Sequence, residues 1–448
     1  VPSLSPSSGT TTNYGQTMRG RQVLVLIDGV AQTGSRDAAR QLNSISPDSI
    51  EKIEVVSGAS SIYGSGATGG IINIITKKGT EEGLSFESKV GVTSGDNFKN
   101  DALAYEAYQS VAFNQGDWNG FLGAGYTKRG EIQDSHGHRI GPEIAQTDRQ
   151  DTETVDVNGR LGWQLTDKQK LSLGAQYYND EQDSDYGADY GKLSGYNAAN
   201  LLFPTVVKPS LKAVSGLKLN TQPKTERYAV NVQYENQDLL GQKLNTEAFY
   251  RKEKGRWFPT VSPLGHGTLN YGLAQLYPNY ANPYSPDFLK AVRLGYAVLQ
   301  SETETDVWGV RTALQKDFKI SDRNIGLIYG LDYENETDKA SARRFNFDNF
   351  YASNGLDFTP EKIYQFGPDT EIKKLGTFLQ GHYEISDQIN VQAGIRHERI
   401  DSKVNSFRQF IWCNLWRCHC LFSFKSRPYG FCIYSHCCNR YYIRPQIF

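Results

Sequence analysis

Residues 19–79 read RGRQVLVLIDGVAQTGSRDAARQLNSISPDSIEKIEVVSGASSIYGSGATGGIINIITKKG, and this stretch decides the fold. Val23-Leu24-Val25-Leu26-Ile27 is a short, β-branched apolar run stopped by Asp28-Gly29, which predicts a buried strand ending in a tight turn. Ser46-Pro47-Asp48 carries the signals of a helix start: a capping hydroxyl, a proline suited to the first helical position, and an acid at the positive end of the dipole. A second strand is expected over 53–56 and a third over 71–75, with glycines 64, 66, 69 and 70 between them. Gly64, Gly66 and Gly69 satisfy the G-x-G-x-x-G spacing of dinucleotide sites. That motif needs a following helix whose N-terminus receives a pyrophosphate. Here the next residues are Ile-Ile-Asn-Ile-Ile, a strand pattern, and no G-K-[ST] follows. The glycines read instead as turn and close-packing positions.

From Leu84 onward the chain alternates apolar and polar residues in runs of about eight to eleven, the length a tilted membrane strand needs. The clearest run sets Val155, Val157, Leu161 and Trp163 against Asp156, Asn158 and Arg160. Eleven such strands are expected, beginning near Leu84, Leu103, Trp118, Val155, Leu171, Tyr228, Leu244, Val307, Ile325, Leu375 and Ile389. Their connections alternate between short turns (114–117, 165–170, 236–243, 320–324, 384–388) and long loops (127–153, 178–226, 251–305, 334–374). Short turns at one end and long loops at the other is the arrangement of an outer-membrane barrel.

Composition is compatible with that reading and excludes others. The net charge of −1 suggests no nucleic-acid partner. No run of eighteen apolar residues is present, so no transmembrane helix is expected, while a barrel can cross with alternating strands. Tyr, Phe and Gly are abundant and Met occurs once, as aromatic girdles and glycine-bearing strands would produce.

The run SISPDSIEKIEVVSGASSIYGSGATGGIINIITKKG resembles the plug domain of TonB-dependent outer-membrane receptors. Thr12-Asn13-Tyr14-Gly15, Arg19-Gly20-Arg21, Ser35-Arg36 and Arg40-Gln41-Leu42 resemble the ferric aerobactin receptor branch, as do Gln176-Tyr177-Tyr178, Asp185-Tyr186-Gly187, residues 234–251 and Phe378-Leu379-Gln380 with Tyr383. The resemblance implies a membrane all-β fold: an α+β plug (1–80) followed by about half of a barrel of about twenty-two strands (81–407). It also implies TonB-dependent uptake of a ferric siderophore, ferric aerobactin or a related hydroxamate/carboxylate complex, in the outer membrane of a Gram-negative bacterium. The implied partners are the inner-membrane TonB complex, the siderophore and lipid. Iron arrives chelated, so no cofactor or metal held by protein ligands is expected, and no enzymatic activity. The alternatives are a receptor for another siderophore, a plugged porin, or a phage or bacteriocin docking surface.

An anionic ferric complex needs forked cationic donors and aromatic walls. The resemblance places the plug's apical loops on the outer side, which makes 31–41 the candidate apex, with Gln32, Ser35, Arg36 and Arg40 as donors. Tyr186, Trp257, Arg343 and Arg344 are the candidate donors and walls from the long loops. Arg19, Arg21, Gly64, Gly66, Gly69 and Gly70 are assigned structural roles in the plug. Asp134, His136 and His138 stand in a polar loop at no recognised metal spacing and read as solvated.

The two ends depart from the pattern. The start shows no signal peptide and no coupling box. Residues 408–448 contain all six cysteines and no Asp or Glu, which reads as an aberrant Cys-rich tail from a shifted frame. With half a barrel, the chain on its own is not expected to transport, because an open sheet in lipid leaves edge N–H and C=O groups unpaired.

Overall fold

The computed structural model describes residues 4–6, 10, 17–32, 42, 44–56, 61–64, 69–95, 98, 102–144, 147–193, 210–261, 297–319, 323–365, 367–385 and 389–406, together with the backbone alone of 57, 262–263, 296, 320, 386, 408–413, 418–427 and 430–435. The first unit is a small sheet of β1 (Thr17–Met18), β2 (Arg21–Ile27), β3 (Val30–Ala31), β4 (Ile50–Ser57) and β5 (Gly70–Thr76), in the order β1-β2-β5-β4 with β3 hairpinned to β2. β2 runs parallel to β5, and β4 antiparallel to it. The uninterrupted apolar run in β2 follows from burial of both its faces. Val23, Val25 and Ile27 join Met18, Ile45, Ile72 and Ile74 on one side, while Leu24, Leu26 and Ile71 are covered by Ala31 and Tyr63 on the other.

Two tight turns set the strand order. Asp28 and Gly29 have φ of +52° and +88°, the pair of left-handed positions of a two-residue hairpin of type I′. Arg19 and Gly20 do the same between β1 and β2, with φ of +53° and +71°. The expected helix at 46–48 is a single 3₁₀ turn, Pro47–Ser49, in which Ser46 Oγ accepts from the Asp48 N–H at 3.3 Å. Ile50 already lies in strand β4, so the cap starts a turn that the β-branched sequence cannot extend. Gly70 opens a strand paired with β2, and no helix follows the glycines, which removes the dinucleotide reading.

The second unit is an antiparallel meander of eleven strands: β6 (Gly83–Ser94), β7 (Leu103–Gln115), β8 (Trp118–Arg129), β9 (Thr152–Thr166), β10 (Gln169–Gln182), β13 (Lys224–Asn236), β14 (Lys243–Arg256), β16 (Tyr296–Ile320), β17 (Arg323–Phe345), β19 (Asp369–Ser386) and β20 (Ile389–Ser406). The long loops contribute β11 (Tyr186–Asp189) paired with β12 (Ser210–Ser215), β15 (Thr260–Pro263) on β16, β18 (Pro360–Gln365) on β17, and one helical turn, α1 (Phe347–Ala352). The strands run longer than the eight to eleven residues expected, and β16 and β17 reach 25 and 23 residues. Lipid requires alternation only over the crossing. Beyond it, Glu302 to Asp306 and Glu334 to Asp338 put polar side chains on both faces while the ladder continues above the membrane.

Alternation separates an outer from an inner face. Leu84, Val90, Leu122, Leu161, Val230, Leu331, Leu379 and Ile395 are exposed, while Asp156, Asn158, Arg227, Glu247 and Arg251 on the opposite parity are buried. Aromatic rows border the outer apolar band. Trp118 stacks on Trp163 at 4.9 Å near the short turns, and Tyr177–Tyr228 and Trp308–Tyr333 meet at 4.9 and 5.3 Å nearer the long loops. The eight-residue step from Trp118 to Tyr126 spans about 27 Å along the strand, or roughly 20 Å of height after tilting by about 40°, comparable with an apolar band of about 25 Å. No helix among the described residues is long and apolar enough to cross a membrane. Within the described residues β6 and β20 each pair on one side only. The backbone of β21 (Arg408–Cys413), β22 (Cys418–Arg427) and β23 (Gly430–Ser435) forms a separate three-stranded antiparallel sheet.

Candidate ligand and gating site

The plug sheet lies against the inner wall, and arginines from four wall strands hold it. Arg160 of β9 pairs with Asp28 at 3.0 Å, and the same carboxylate accepts from Thr76 N and Oγ1 at 2.9 and 2.6 Å. Arg227 of β13 donates to Ser44 Oγ at 3.0 Å and to Gln32 Oε1. Arg251 of β14 donates to the Ala31 carbonyl at 2.7 Å, and both guanidiniums flank Glu253 at 3.7 and 3.6 Å. Arg311 of β16 donates to the Ile62 carbonyl at 3.0 Å and lies between the rings of Tyr63 and Phe378, 4.6 and 5.6 Å from their centroids. Arg396 of β20 is tied bidentately to Asp332 at 2.7 and 2.8 Å beside Gly64. Asp156, Gln176 and Gln380 add contacts to Ser46, Ser49, Ser44 and Ser61.

Backbone carbonyls and short hydroxyls at the plug edge explain the choice of arginine, since a fork of five donors can satisfy two acceptors at once. The cavities along this seam measure about 40 and 50 Å³. Ligand pockets usually hold roughly 300–1,000 Å³, so neither of these two gaps between plug and wall is large enough to hold a ligand.

The structure places the sequence-selected residues as follows. Gln32 is buried, its amide nitrogen donating to the Val30 carbonyl at 2.8 Å and its oxygen engaged by Arg227. Ser35, Arg36, Arg40 and Gly66 lie outside the described residues. Tyr186 opens β11, and the Arg139 guanidinium sits 3.9 Å above its ring. Arg139 is itself held by Glu131 at 3.4 Å and by Asp151. Arg344 pairs with Glu361 of β18 at 3.3 Å, and Arg343, half-buried, sits beside it opposite Ile363. Trp257 is buried, and its carbonyl accepts from Gln300 Nε2 at 2.9 Å. Gly64 has φ of +101°, Gly69 donates its N–H to the Gln22 carbonyl at 2.9 Å, and Arg21 opens β2 opposite Met18.

The phenylalanines that follow the candidates Trp257 and Arg344 are packed. Phe258 and Phe345 join Leu193, Leu217, Leu219, Val298, Phe347, Phe350 and Phe358 in an apolar core that ties the long loops together. Sequence reasoning missed the seam arginines. Parity could have found them, because Arg227 and Arg251 alternate with the outward Tyr228 and Tyr250.

In the loop after β8, Asp134 caps its own turn, accepting from the backbone N–H groups of His138 and His136 at 2.9 and 2.8 Å. Those two bonds, the His138 one foremost, hold its carboxylate below the usual range. The folded value is therefore the lower one. The turn keeps this contribution above the ordinary aspartate value near about 4 and loses it as pH falls through the depressed value. Amide resonances of His136 and His138 are expected to shift with a midpoint below about pH 4; a higher midpoint would contradict the capping.

The fold and seam define a plug seated on part of a membrane-type antiparallel β wall, the architecture of the receptor class, and the comparisons agree. Residues 1–71 match the TonB-dependent Receptor Plug Domain, and residues 179–412 match the TonB dependent receptor-like beta-barrel, a match that ends near the start of the tail. The chain belongs to the TonB-dependent receptors, a family of outer-membrane transporters rather than enzymes. It is 32% identical over 415 residues to the Rhizobactin receptor of Rhizobium meliloti (strain 1021), covering 91% of this chain and 50% of that protein. It is 32% identical over 411 residues to the Ferric aerobactin receptor of Klebsiella pneumoniae, with the same coverage of 91% and 50%. The unliganded ferric citrate transporter FecA shares the fold with a TM-score of 0.61 at 16% identity, over 90% of this chain and 52% of that one. The chain thus spans about half the length of the curated relatives it matches.

Proposed function

We propose that the protein is an outer-membrane receptor for energy-dependent uptake of a ferric siderophore of mixed hydroxamate and carboxylate chemistry. The observation that carries this is the 32% identity, over 91% of the chain, to receptors named for rhizobactin and aerobactin. The seam supports the coupling half of the reading: a plug held by four wall arginines needs work from outside to move, and the TonB complex is the partner that supplies it. Iron would travel chelated, with no resident metal or cofactor on the protein.

In an iron-starved strain lacking its own receptor for the complex, a receptor in which this chain is completed to a closed barrel is expected to restore accumulation of ferric aerobactin, and this chain alone is not. Collapse of the proton gradient should abolish that accumulation while leaving surface binding intact. Uptake of ferric enterobactin alone would overturn the chemical class, and uptake indifferent to the gradient would overturn the coupling.

A further inference from the structure

The outward face of the wall is filled by large side chains along most strands, as by Tyr228, Val230 and Val232 on β13. Between β7 and β10 the filling is interrupted. Gly159 stands at an outward position of β9, paired with Leu122 of β8 on one side and with Ala175 of β10 on the other. The neighbouring outward pair toward the short turns is Leu161 and Leu173, and Val111 of β7 lies beyond Leu122. Together Val111, Leu122, Gly159, Leu161, Leu173 and Ala175 border an apolar groove of about 290 Å³. Ladder register gives all of them the outward parity, so the groove opens to the lipid side of the wall and not to the plug.

The glycine that makes the groove has no structural reason of its own. A Cβ at Gly159 would meet Leu122 Cδ1 at 3.5 Å and the Phe121 carbonyl oxygen at 3.8 Å, both ordinary contacts. Its φ is not positive, and the ladders to β8 and β10 run through it without a register shift. The outward Gly120 differs, because the Phe113 ring already occupies the place of its side chain. Glycine weakens a strand interior, and it recurs where a bulge, a bend or a closely approaching ligand requires it. With the backbone regular at Gly159, close approach from the lipid side is what the missing side chain permits.

Depth and chemistry select the occupant. Trp118 and Trp163 mark the end of the apolar band near the short turns. Leu173 lies two residues and Ala175 four residues beyond Leu171, which pairs with Trp163. Four residues rise about 14 Å along the strand, or roughly 10 Å of height after tilting, which keeps the groove within the nearer half of an apolar band of about 25 Å. That half is the inner leaflet, made of phospholipid. The bordering side chains carry no polar atom, so a headgroup, a sugar or a polar peptide finds no partner there.

We propose that this groove seats a single acyl chain of an inner-leaflet phospholipid. Lipid tails are as apolar as leucine, so contact with bulk lipid brings no hydrophobic gain. The gain is in packing: a gap over Gly159 forfeits dispersion contacts, and one chain lying at the depth of the backbone restores them. The seat is independent of the complex that the receptor carries.

The test is photolabelling of the full chain in detergent micelles containing phosphatidylethanolamine with a diazirine at the middle of one acyl chain, read by peptide mapping. Residues 157–161 and 171–175 are expected to take roughly tenfold more label than the outward residues of β13 and β14. Gly159→Leu fills the groove and should bring both segments down to that background. Ala248→Leu adds the same bulk at an exposed outward position of β14 and should leave the labelling of both segments as in wild type. Amides of β9 and β10 should exchange no faster in Gly159→Leu than in wild type, since glycine is the weaker strand residue, so that lost label reports a filled groove rather than lost structure. Label spread evenly over the outward strands, or undiminished in Gly159→Leu, overturns the seat. Equal labelling by lipid A carrying the same group overturns the assignment to phospholipid.

Discussion

Gly69→Val should unfold the plug and leave the wall strands in place. A Cβ at this position would lie 2.8 Å from the carbonyl oxygens of Arg21 and Met18 and 2.9 Å from that of Gln22. None of the three can move cheaply. Met18 and Arg21 are the paired residues that close the β1–β2 turn, and the Gln22 carbonyl accepts the N–H of Gly69 itself. Overpacking against side chains costs typically about 1–3 kcal/mol. Three fixed backbone oxygens put even alanine at the top of that range, and the branched valine beyond it. A unit with two small apolar clusters has little stability to lose, since whole domains hold only about 5–15 kcal/mol.

Limited proteolysis of membranes is the direct measure: cleavage within 19–79 for Gly69→Val, with the wall strands protected. The contrast is Gly20→Ala, where φ is +71° and nothing lies within 4 Å. It is expected to cost about 1 kcal/mol of backbone strain and leave the plug resistant. A Gly69→Val plug as resistant as wild type would show that the β1–β2 turn gives way after all.

How much of this could be read beforehand differs between the two units. In the plug, Val23 to Ile27 and the Asp28-Gly29 stop marked a buried strand and its turn, because a five-residue apolar run has few other uses and φ above zero at two successive residues favours Asp-Gly. In the wall, the inward Asp156, Asn158 and Arg160 of β9 were legible because lipid on one face forces strict parity. Above the membrane that constraint lapses. Nothing in the local pattern shows that β16 and β17 extend beyond the lipid, or that Phe258 and Phe345 pack on α1 and Phe358. Phe258 meets Phe358 from a different long loop, and an aromatic residue in a loop reads the same whether it faces solvent or a neighbouring loop. The seam was hidden for a related reason. Gln32 looked like a ligand donor because it follows the hairpin at the plug's apex, but its partner Arg227 is 195 residues away.

Arg227→Ala is the second large effect, and it separates the two halves of the seam. The Arg227 side chain is 1% exposed and meets Ser44 Oγ, Gln32 Oε1 and Glu253. Truncation empties a buried volume, strands the Gln32 amide oxygen, and leaves Glu253 with Arg251 as its neighbouring cation at 3.6 Å. Breaking a buried, hydrogen-bonded charge typically costs about 3–5 kcal/mol; the retained Arg251 places this case near the lower end. At roughly 1.4 kcal/mol per factor of ten, amides at 30–32 and 44–46 should exchange about 100-fold faster. The loop 61–64 is held separately by Arg311 and Gln380, on strands β16 and β19, and should keep its protection. Arg227→Lys should recover little, because a single ammonium cannot hold Ser44 and Gln32 together as the planar fork does. Hydrogen exchange of the membrane-embedded protein reads all three. Equal loosening of both segments would mean that the plug is held as one body, and the independent clamps at Arg227 and Arg311 would have to be abandoned.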